Sequence, residues 1–299
     1  MKYQLGLSAE HIEDRVSPIF AGVGLLRSEY LCRKIDKYIT LKESRDYIQD
    51  YVRRTAEIFA PDPVWYRTTE METAEVNILE GADHLIEERT SMLGYRGIRR
   101  ARLFKETFLL ELSVIAEVAS EAPNLHVLIP FISDPSELLF VKECLAEVGF
   151  KNKLGIMAEI PATILCLEEF LAIGVDNVTV GMNDLSSLVM GAIRCAELER
   201  QFLHPAMQKL LIRTREATRN HDLTLAVAGY INREVLKFID ALGFDYAVIH
   251  YSNLNKVFGA EFEKLPYQNN LDEIKSRTRN LIRERSERLA VEKWMSQQQ

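Results

Sequence analysis

The chain has 299 residues, of which 47% are hydrophobic and 27% charged, and its formal net charge is −7 at pH 7. This length and composition can bury one large core, and α/β barrels commonly reach this length as a single domain. The net negative charge argues against nonspecific nucleic-acid binding, and the sequence has neither an apolar run long enough to span a membrane nor a signal-peptide pattern. We therefore expect a cytoplasmic protein that binds neither nucleic acid nor membrane.

Apolar runs with strand character alternate with amphipathic helical patterns along the whole chain. Six runs are clear strand candidates, and weaker candidates are AGVGLL at 21–26 and the segment around MLGYRGI at 92–98. The clear candidates, in chain order, are DPVWYRTTE, LHVLIPFI, KLGIMAEI, VDNVTVGMN, LTLAVAGY and FDYAVIHYS. The helical patterns cover 40–59, 99–120, 135–148, 165–173, 205–219 and a short stretch after Ile231.

About eight strands separated by helices predict an α/β fold, specifically a (β/α)8 TIM barrel. The sequence contains neither the glycine-rich dinucleotide fingerprint nor a phosphate-binding P-loop, which disfavours a doubly wound nucleotide-binding fold. From about residue 270 the sequence becomes highly charged with few apolar residues. We expect residues 1–269 to form the barrel and 270–299 a charged helical tail that packs on the barrel or against a partner.

Two acidic residues each follow an apolar run that predicts a buried strand. Glu159 follows LGIMA, and Asp184 follows VTVGMN, with one helix and one strand between them. The C-terminal strand ends of a β/α barrel converge on one face, and Mg²⁺ prefers one or two carboxylates together with water and an anionic substrate. A single acid at such a position is equally consistent with a helix cap or an ion pair. Their joint occurrence favours a Mg²⁺ site.

Three arginines lie near the same predicted strand ends. Arg67 follows VWY, Arg96 lies in the glycine-flanked turn LGYRGIR, and Arg194 ends MGAIR. A guanidinium pairs bidentately with carboxylate or phosphate, so arginines around a metal suit a small substrate that carries both groups. For Arg67 a structural ion pair is an alternative.

Taken together, these motifs resemble the phosphoenolpyruvate (PEP)-binding barrel shared by PEP synthase, pyruvate phosphate dikinase and the first enzyme of the bacterial sugar phosphotransferase system. The resemblance runs from about Gly22 to Lys264. It rests on GVGLLRSEY, the YRT turn, MLGYRGIR, VLIPFI, MAEIPATIL and GMNDLSSL, followed by Arg194.

The resemblance implies a TIM barrel in which Glu159 and Asp184 hold Mg²⁺. It implies that three arginines grip the phosphate and carboxylate of PEP or pyruvate, and that Asn183 contacts the phosphate beside the metal. These arginines are Arg67, Arg96 and Arg194. A homodimer is also implied, because barrels of this family commonly dimerise.

The sequence departs from the family pattern at the end of LTLAVAGY. The family has Cys-Gly-Glu there, with a cysteine that protonates the enolpyruvate carbon, whereas this chain has Ala228-Gly229-Tyr230. Tyr230 and His250, each at a predicted strand end on the closing side of the barrel, are the candidates for that proton transfer, since both side chains can donate protons. A structural position for His250 is the alternative.

Members of this family also have a swivelling domain whose histidine exchanges the phosphoryl group with the substrate. The second departure is that none of the six histidines of this sequence lies in such a domain. We expect that phosphohistidine, or an ATP-grasp partner, to be supplied by a separate protein. Three functions follow as alternatives: phosphoryl transfer with PEP or pyruvate, carbon–carbon bond cleavage or formation through a pyruvate enolate as in the citrate-lyase and malyl-lyase barrels, and an inactive regulatory paralogue. We favour a Mg²⁺-dependent, PEP-utilising transferase.

Overall fold

The structure is a computed structural model that describes residues 1–82, 85–88, 93–193, 202–229, 231–259, 262, 265–266 and 269–296. Eight parallel strands pair in chain order, and the eighth pairs with the first, so the sheet closes into a barrel. The predicted (β/α)8 TIM barrel is therefore confirmed. The strands are β1 Lys2–Leu7, β2 Val23–Arg27, β3 Val64–Arg67, β4 Leu125–Ile129, β5 Leu154–Ala158, β6 Asn177–Gly181, β7 Thr224–Ala228 and β8 Tyr246–His250.

Helices follow the strands and pack on the outside of the barrel. They are α1 Ser28–Ile35, α2 Lys42–Phe59, α3 Thr73–Val76, α4 Ile98–Leu103, α5 Lys105–Glu121, α6 Pro135–Glu147, α7 Pro161–Leu165, α8 Leu167–Ile173, α9 Met182–Met190, α10 Pro205–Thr218, α11 Arg233–Leu242, α12 Leu254–Phe258 and α13 Asn270–Ser296. None of these described helices has the length and apolar character that crossing a bilayer requires.

Two predictions about elements were wrong. MLGYRGI is not a strand: residues 93–97 form turns and bends, and helix α4 begins at Ile98. Its two glycines favour a loop, and Gly97 has a φ of 53° that other residues rarely adopt. The missing strand is β1, which is hard to recognise in the sequence because the polar residues Lys2 and Gln4 interrupt its apolar residues.

The long helix expected over 99–120 is two helices. Phe104, with φ −123° and ψ 63°, leaves the helical region between α4 and α5. The chain can therefore turn between the loop that follows β3 and the long helix that packs on α2.

The core has two parts. A small cluster fills the barrel interior and is made of Leu25, Trp65, Leu128, Met157, Ala226, Ala228 and Val248. A larger cluster lies between the strands and the surrounding helices. Strands that are covered on both faces have nearly continuous apolar sequences. This explains why LGIM in β5 and VTV in β6 could be recognised in the sequence.

The C-terminal helix α13 packs against α1 and α3 through its first turns. Leu271 and Ile274 are buried, and the Asn270 side chain donates to the backbone carbonyl of Ser8 at 2.8 Å. Thr278 accepts a hydrogen bond from Arg33 Nε at 3.0 Å. The described side chains from residue 286 onward are exposed.

Candidate active site

A cavity of about 350 Å³ lies at the C-terminal ends of the strands. This is the face where β/α barrels place their active sites. The predicted site residues that the structure describes all line it: Arg67, Arg96, Glu159, Asn183, Asp184 and His250. Arg194 and Tyr230 lie outside the described residues, so their roles stay predictions.

Arg67 ends β3 and is buried between two carboxylates. Its Nη2 pairs with Glu29, and its Nη1 lies 2.7 Å from Oε2 of Glu70. Burial alone would lower the pKa of Arg67, but these neighbouring carboxylates raise it. The guanidinium is therefore permanently charged and lies within a network of ion pairs on the cavity wall.

Arg96 reaches the same network from the loop of residues 93–97, for which the sequence had predicted a strand. Its Nη2 pairs with the other oxygen of Glu70 and lies 3.6 Å from Oδ2 of Asp184. The guanidinium also packs over the ring of Phe131, 4.5 Å from the ring centre. The glycine-flanked turn thus directs Arg96 inward, and Glu70 bridges it to Arg67.

Three carboxylates meet beside these arginines. Glu70, Glu159 and Asp184 are all buried, and each offers an oxygen within 4.8 Å of the others. Glu159 follows β5 and accepts a hydrogen bond from the backbone N–H of Phe131 at 2.8 Å, while Asp184 lies in the first turn of α9. Burial, with repulsion from Glu70 and Asp184, raises the pKa of Glu159 to about 8.

The donor set fits a divalent cation. Both oxygens of Glu70 are already paired with arginines, which leaves Glu159 and Asp184 as the carboxylates able to hold a hard cation. A cation there would favour the ionised form of Glu159, which burial now disfavours. Gly181 keeps space for the ligand, because a Cβ at that position would lie 2.7 Å from both Cβ and Oε2 of Glu159.

The opposite wall of the cavity, formed by β7, β8 and β1, is different in character. Ala228 and Gly229 present no side chain larger than a methyl group. His250 ends β8, and its Nε2 lies 3.0 Å from the hydroxyl of Ser8. Burial and the nearby charges of Arg27 and Lys275 lower the pKa of His250 well below its ordinary value. His250 is therefore a neutral imidazole on this wall.

Sequence reasoning missed several cavity residues. Arg27 ends β2 as Arg67 ends β3, and this equivalence was the available signal. The Arg27 guanidinium packs over the ring of Tyr30, 4.7 Å from the ring centre, and its Nε is buried without a hydrogen-bond partner among the described residues. Glu29 and Glu70, which lie two and three residues beyond β2 and β3, were missed because acids at such positions look like ordinary helix or loop residues.

One buried residue outside the cavity anchors its wall. Glu111 on α5 accepts hydrogen bonds from the Tyr66 hydroxyl at 2.9 Å, and from the backbone N–H and hydroxyl of Thr69 at 2.7 and 2.8 Å. Thr69 lies between Arg67 and Glu70. Glu111 therefore fixes the short segment that carries two members of the ion-pair network.

Curated relatives with similar sequences are archaeal PEP synthases. The chain is 31% identical to a probable PEP synthase of Methanocaldococcus jannaschii over 76% of this chain and 20% of the relative. It is 33% identical to that of Archaeoglobus fulgidus, over 70% and 30%, and 28% identical to PEP synthase of Pyrococcus furiosus, over 81% and 32%. The chain thus spans a fifth to about a third of the length of these relatives.

Among solved structures, an HpcH/HpaI aldolase/citrate lyase family protein from Burkholderia cenocepacia J2315 aligns with 83% of this chain and 87% of its own. Its TM-score is 0.48 at 12% identity, too distant to bear on function. The sequence pattern described as "PEP-utilising enzyme, PEP-binding domain" matches residues 6–257. Because this match runs from the end of β1 through β8 and takes in most of the cavity wall, the chain belongs to the family of PEP-utilising enzymes, represented by their PEP-binding domain.

Proposed function

We propose that this domain binds PEP or pyruvate together with Mg²⁺, stabilises the enolate, and exchanges a phosphoryl group with a phosphohistidine on a separate domain. The observation that carries the proposal is the presence of a three-carboxylate cluster and two buried arginines in one cavity. The family and its PEP synthase relatives support the choice of substrate.

Glu159 and Asp184 would hold the cation. Bound there, Mg²⁺ supplies positive charge that favours the enolate and the developing charge of phosphoryl loss. Asn183 lines the cavity beside Asp184, which supports the proposal that it contacts the phosphate. Mg²⁺ suits this site because it takes few protein carboxylates and leaves other positions for substrate and water.

The arginines bind the anionic groups by exchanging partners. Arg67 and Arg96 pair with Glu29 and Glu70, so a substrate carboxylate or phosphate competes with those carboxylates for the same guanidinium edges. Arg27 offers a further guanidinium from the end of β2. Arg194 is proposed to complete the set. Charge that develops on the enolate oxygen is then met by donors that are already in place.

A proton has to be exchanged with carbon 3, and Ala228 cannot donate one. His250 lines the cavity on the strand next to β7, which makes it the described residue best placed for this role. Tyr230 stays the second proposed donor. General acid–base catalysis of this kind contributes about 10²- to 10⁴-fold to a rate.

Metal-dependent ligand binding tests the site directly. Oxalate resembles the pyruvate enolate, and a ligand at 100 times its Kd adds about 2.7 kcal/mol to the free energy of unfolding. We expect the melting temperature to rise with oxalate and Mg²⁺ together, and the rise to disappear in Glu159→Gln and Asp184→Asn. Glu168→Gln, an exposed acid paired with Arg213, is the matched control. No shift at millimolar oxalate would remove the proposal.

The phosphoryl acceptor is tested with a labelled substrate. Incubation with ³²P-labelled PEP and an isolated phosphohistidine domain from a PEP synthase should label that domain, and only in the presence of Mg²⁺. A domain that stays unlabelled while oxalate binds normally would contradict phosphoryl transfer but leave the enolate site intact. Light scattering of the same sample tests the implied homodimer.

Carbon–carbon chemistry at carbon 3 is the second candidate. The small side chains at Ala228 and Gly229 leave this wall of the cavity open to a second substrate. Release of pyruvate from a 4-hydroxy-2-oxo acid, coupled to lactate dehydrogenase, would support this lyase function over phosphoryl transfer.

A further inference from the structure

The C-terminal helix α13 contributes two side chains to the active-site cavity. Leu271 and Lys275 both line it, although neither belongs to a strand of the barrel or to a loop between strands. They are one helical turn apart and therefore share a face of α13. Leu271 is buried and Lys275 is half-buried. One face of this helix thus presents an apolar side chain and a cation to the cavity.

Hydrogen bonds hold α13 in place on both sides of Lys275. Before it, the Asn270 side chain donates to the backbone carbonyl of Ser8, which follows β1, at 2.8 Å. After it, the Arg277 guanidinium donates to the backbone carbonyl of Lys34 in the last turn of α1 at 3.0 Å. The backbone at Lys275 is therefore fixed relative to the barrel, as a residue that positions a ligand requires.

Arg27 is a second cation in the same part of the cavity. The charges of Arg27 and Lys275 both lower the pKa of His250, so the two cations lie near one imidazole. Nε of Arg27 is buried without a hydrogen-bond partner among the described residues. A buried N–H donor left in this state is costly, and an acceptor on a bound ligand would satisfy it.

These two cations lie across the barrel from the proposed cation site. The strands pair in chain order around a closed barrel, so β1 and β2 lie opposite β5 and β6. Arg27 ends β2, and α13 is bonded to the segment after β1, whereas Glu159 and Asp184 follow β5 and β6. A ligand that is held by the cation at one end can therefore extend across the cavity toward Arg27 and Lys275.

The balance of charge beside His250 favours an anion. Oε1 of Glu10 lies 3.6 Å from Nε2 of His250, but burial raises the pKa of Glu10 to about 7. This carboxyl is therefore only partly ionised at neutral pH and offsets only part of the positive charge of Arg27 and Lys275. Like charges near one imidazole repel each other, and a bound anion relieves that repulsion.

We propose that Lys275 is a substrate-binding residue that, together with Arg27, holds an anionic group of the substrate across the cavity from the cation site. This inference rests on the proposed function and names the substrate class more closely. The substrate carries one carboxylate for the cation end and a second anionic group, a phosphate or a carboxylate, for the end at α13. An ammonium group binds either of these as a point charge.

Binding of a second anion to the oxalate complex tests this role. Oxalate is short and fills the cation end, so inorganic phosphate or acetate is titrated into protein saturated with oxalate and Mg²⁺, and calorimetry gives each Kd. Lys275→Gln should weaken binding of the preferred anion by about tenfold, the effect of one hydrogen bond to a charged group, and leave the Kd of oxalate unchanged. Lys275→Arg, which keeps the charge, should restore most of the affinity.

Arg279→Gln is the matched control. Arg279 is an exposed cation one turn further along α13 and is not among the residues that line the cavity. Its loss should leave both affinities unchanged. A phosphate that depends on Lys275 would identify the second group as the phosphoryl group of PEP, and an acetate that does so would identify the carboxylate of a second substrate.

The ring signals of His250 provide a readout that does not depend on activity. Lys275→Gln should raise the pKa of His250, because a nearby positive charge is removed, whereas Arg279→Gln should not change it. In the oxalate complex, the second anion should shift the ring signals of the wild type and not those of Lys275→Gln.

The outcomes separate this role from the function on which it rests. A wild type that binds oxalate but neither phosphate nor acetate, or a Lys275→Gln variant that binds them as tightly as the wild type, would overturn the role and leave the cation site standing. Equal losses in Lys275→Gln and Arg279→Gln would also overturn it, since the charge would then act from a distance. A wild type that binds no oxalate with Mg²⁺ would overturn both proposals.

Discussion

The two walls of the cavity use polar groups in opposite ways. On the wall formed after β3, β5 and β6, charged groups are shared among partners, with Glu70 bridging Arg67 and Arg96. On the wall formed by β7, β8 and β1, Ala228 offers no polar side chain and a neutral His250 is held by two serines. The first wall concentrates paired charges, whereas the second presents a neutral imidazole and small side chains.

The resemblance to the family implies the same division. Motifs that carry the resemblance lie on the charged wall, whereas the neutral wall has Ala228 where the resemblance implies a cysteine. If the comparison is correct, substitutions on the charged wall should cost stability and ligand binding, and those on the neutral wall should chiefly affect proton exchange.

The largest effect is expected from Glu70→Leu. Among the described residues it leaves Asp184, at 3.6 Å, as the ion-pair partner of the buried Arg96 guanidinium. Breaking a buried ion pair in this way costs about 3–5 kcal/mol. Urea denaturation measures the loss. Oxalate with Mg²⁺ should stabilise this variant more than the wild type, because an added anion replaces the missing carboxylate. A loss of stability no larger than that of the exposed control Glu168→Gln would contradict the distinction between the two walls.

A smaller, pH-dependent effect is expected at Glu111. Burial raises the pKa of this carboxyl from 4.5 to about 7 in the folded protein, so between these values the folded state binds more protons than the unfolded state. The contribution of Glu111 to the free energy of unfolding should therefore fall as pH rises through this window. Glu111→Gln should flatten that part of the curve and destabilise the protein by about 1–3 kcal/mol through the altered bonds to Thr69.

Denaturation curves at several pH values between 4.5 and 7 test this prediction. Burial also raises the pKa of Glu10 to about 7, so Glu10 makes a contribution of the same sign to the change of stability with pH. Glu111→Gln should therefore reduce this pH dependence without abolishing it. A variant whose stability changes with pH as steeply as the wild type would show that Glu111 does not titrate in this range.

The smallest effect is expected from Ser252→Ala on the neutral wall. It removes one hydrogen bond between neutral groups, which contributes about 0.5–1.5 kcal/mol. The backbone N–H of Ser252 still donates to Nδ1, so the tautomer of His250 should survive. Stability and the nitrogen shifts of His250 measure the two effects. A loss comparable to that of Glu70→Leu would contradict the distinction between the walls.

The sequence predicted the barrel because buried strands and amphipathic helices alternate with clear periodicity. It also predicted Glu159, which directly follows a strand, and Asp184, which lies three residues beyond one. It did not identify β1, in which Lys2 is exposed and Gln4 is buried because the sheet closes there. Glu111 was also missed, since its partners Tyr66 and Thr69 lie far away in sequence.

The C-terminal helix α13 also contributes to the shape of the cavity. Leu271 lines the active-site cavity, although it lies beyond residues 6–257, where the family pattern matches. Part of the cavity wall is thus encoded outside the segment that the family pattern matches. A substitution at Leu271 can therefore change the shape of the cavity while every residue at a strand end stays the same.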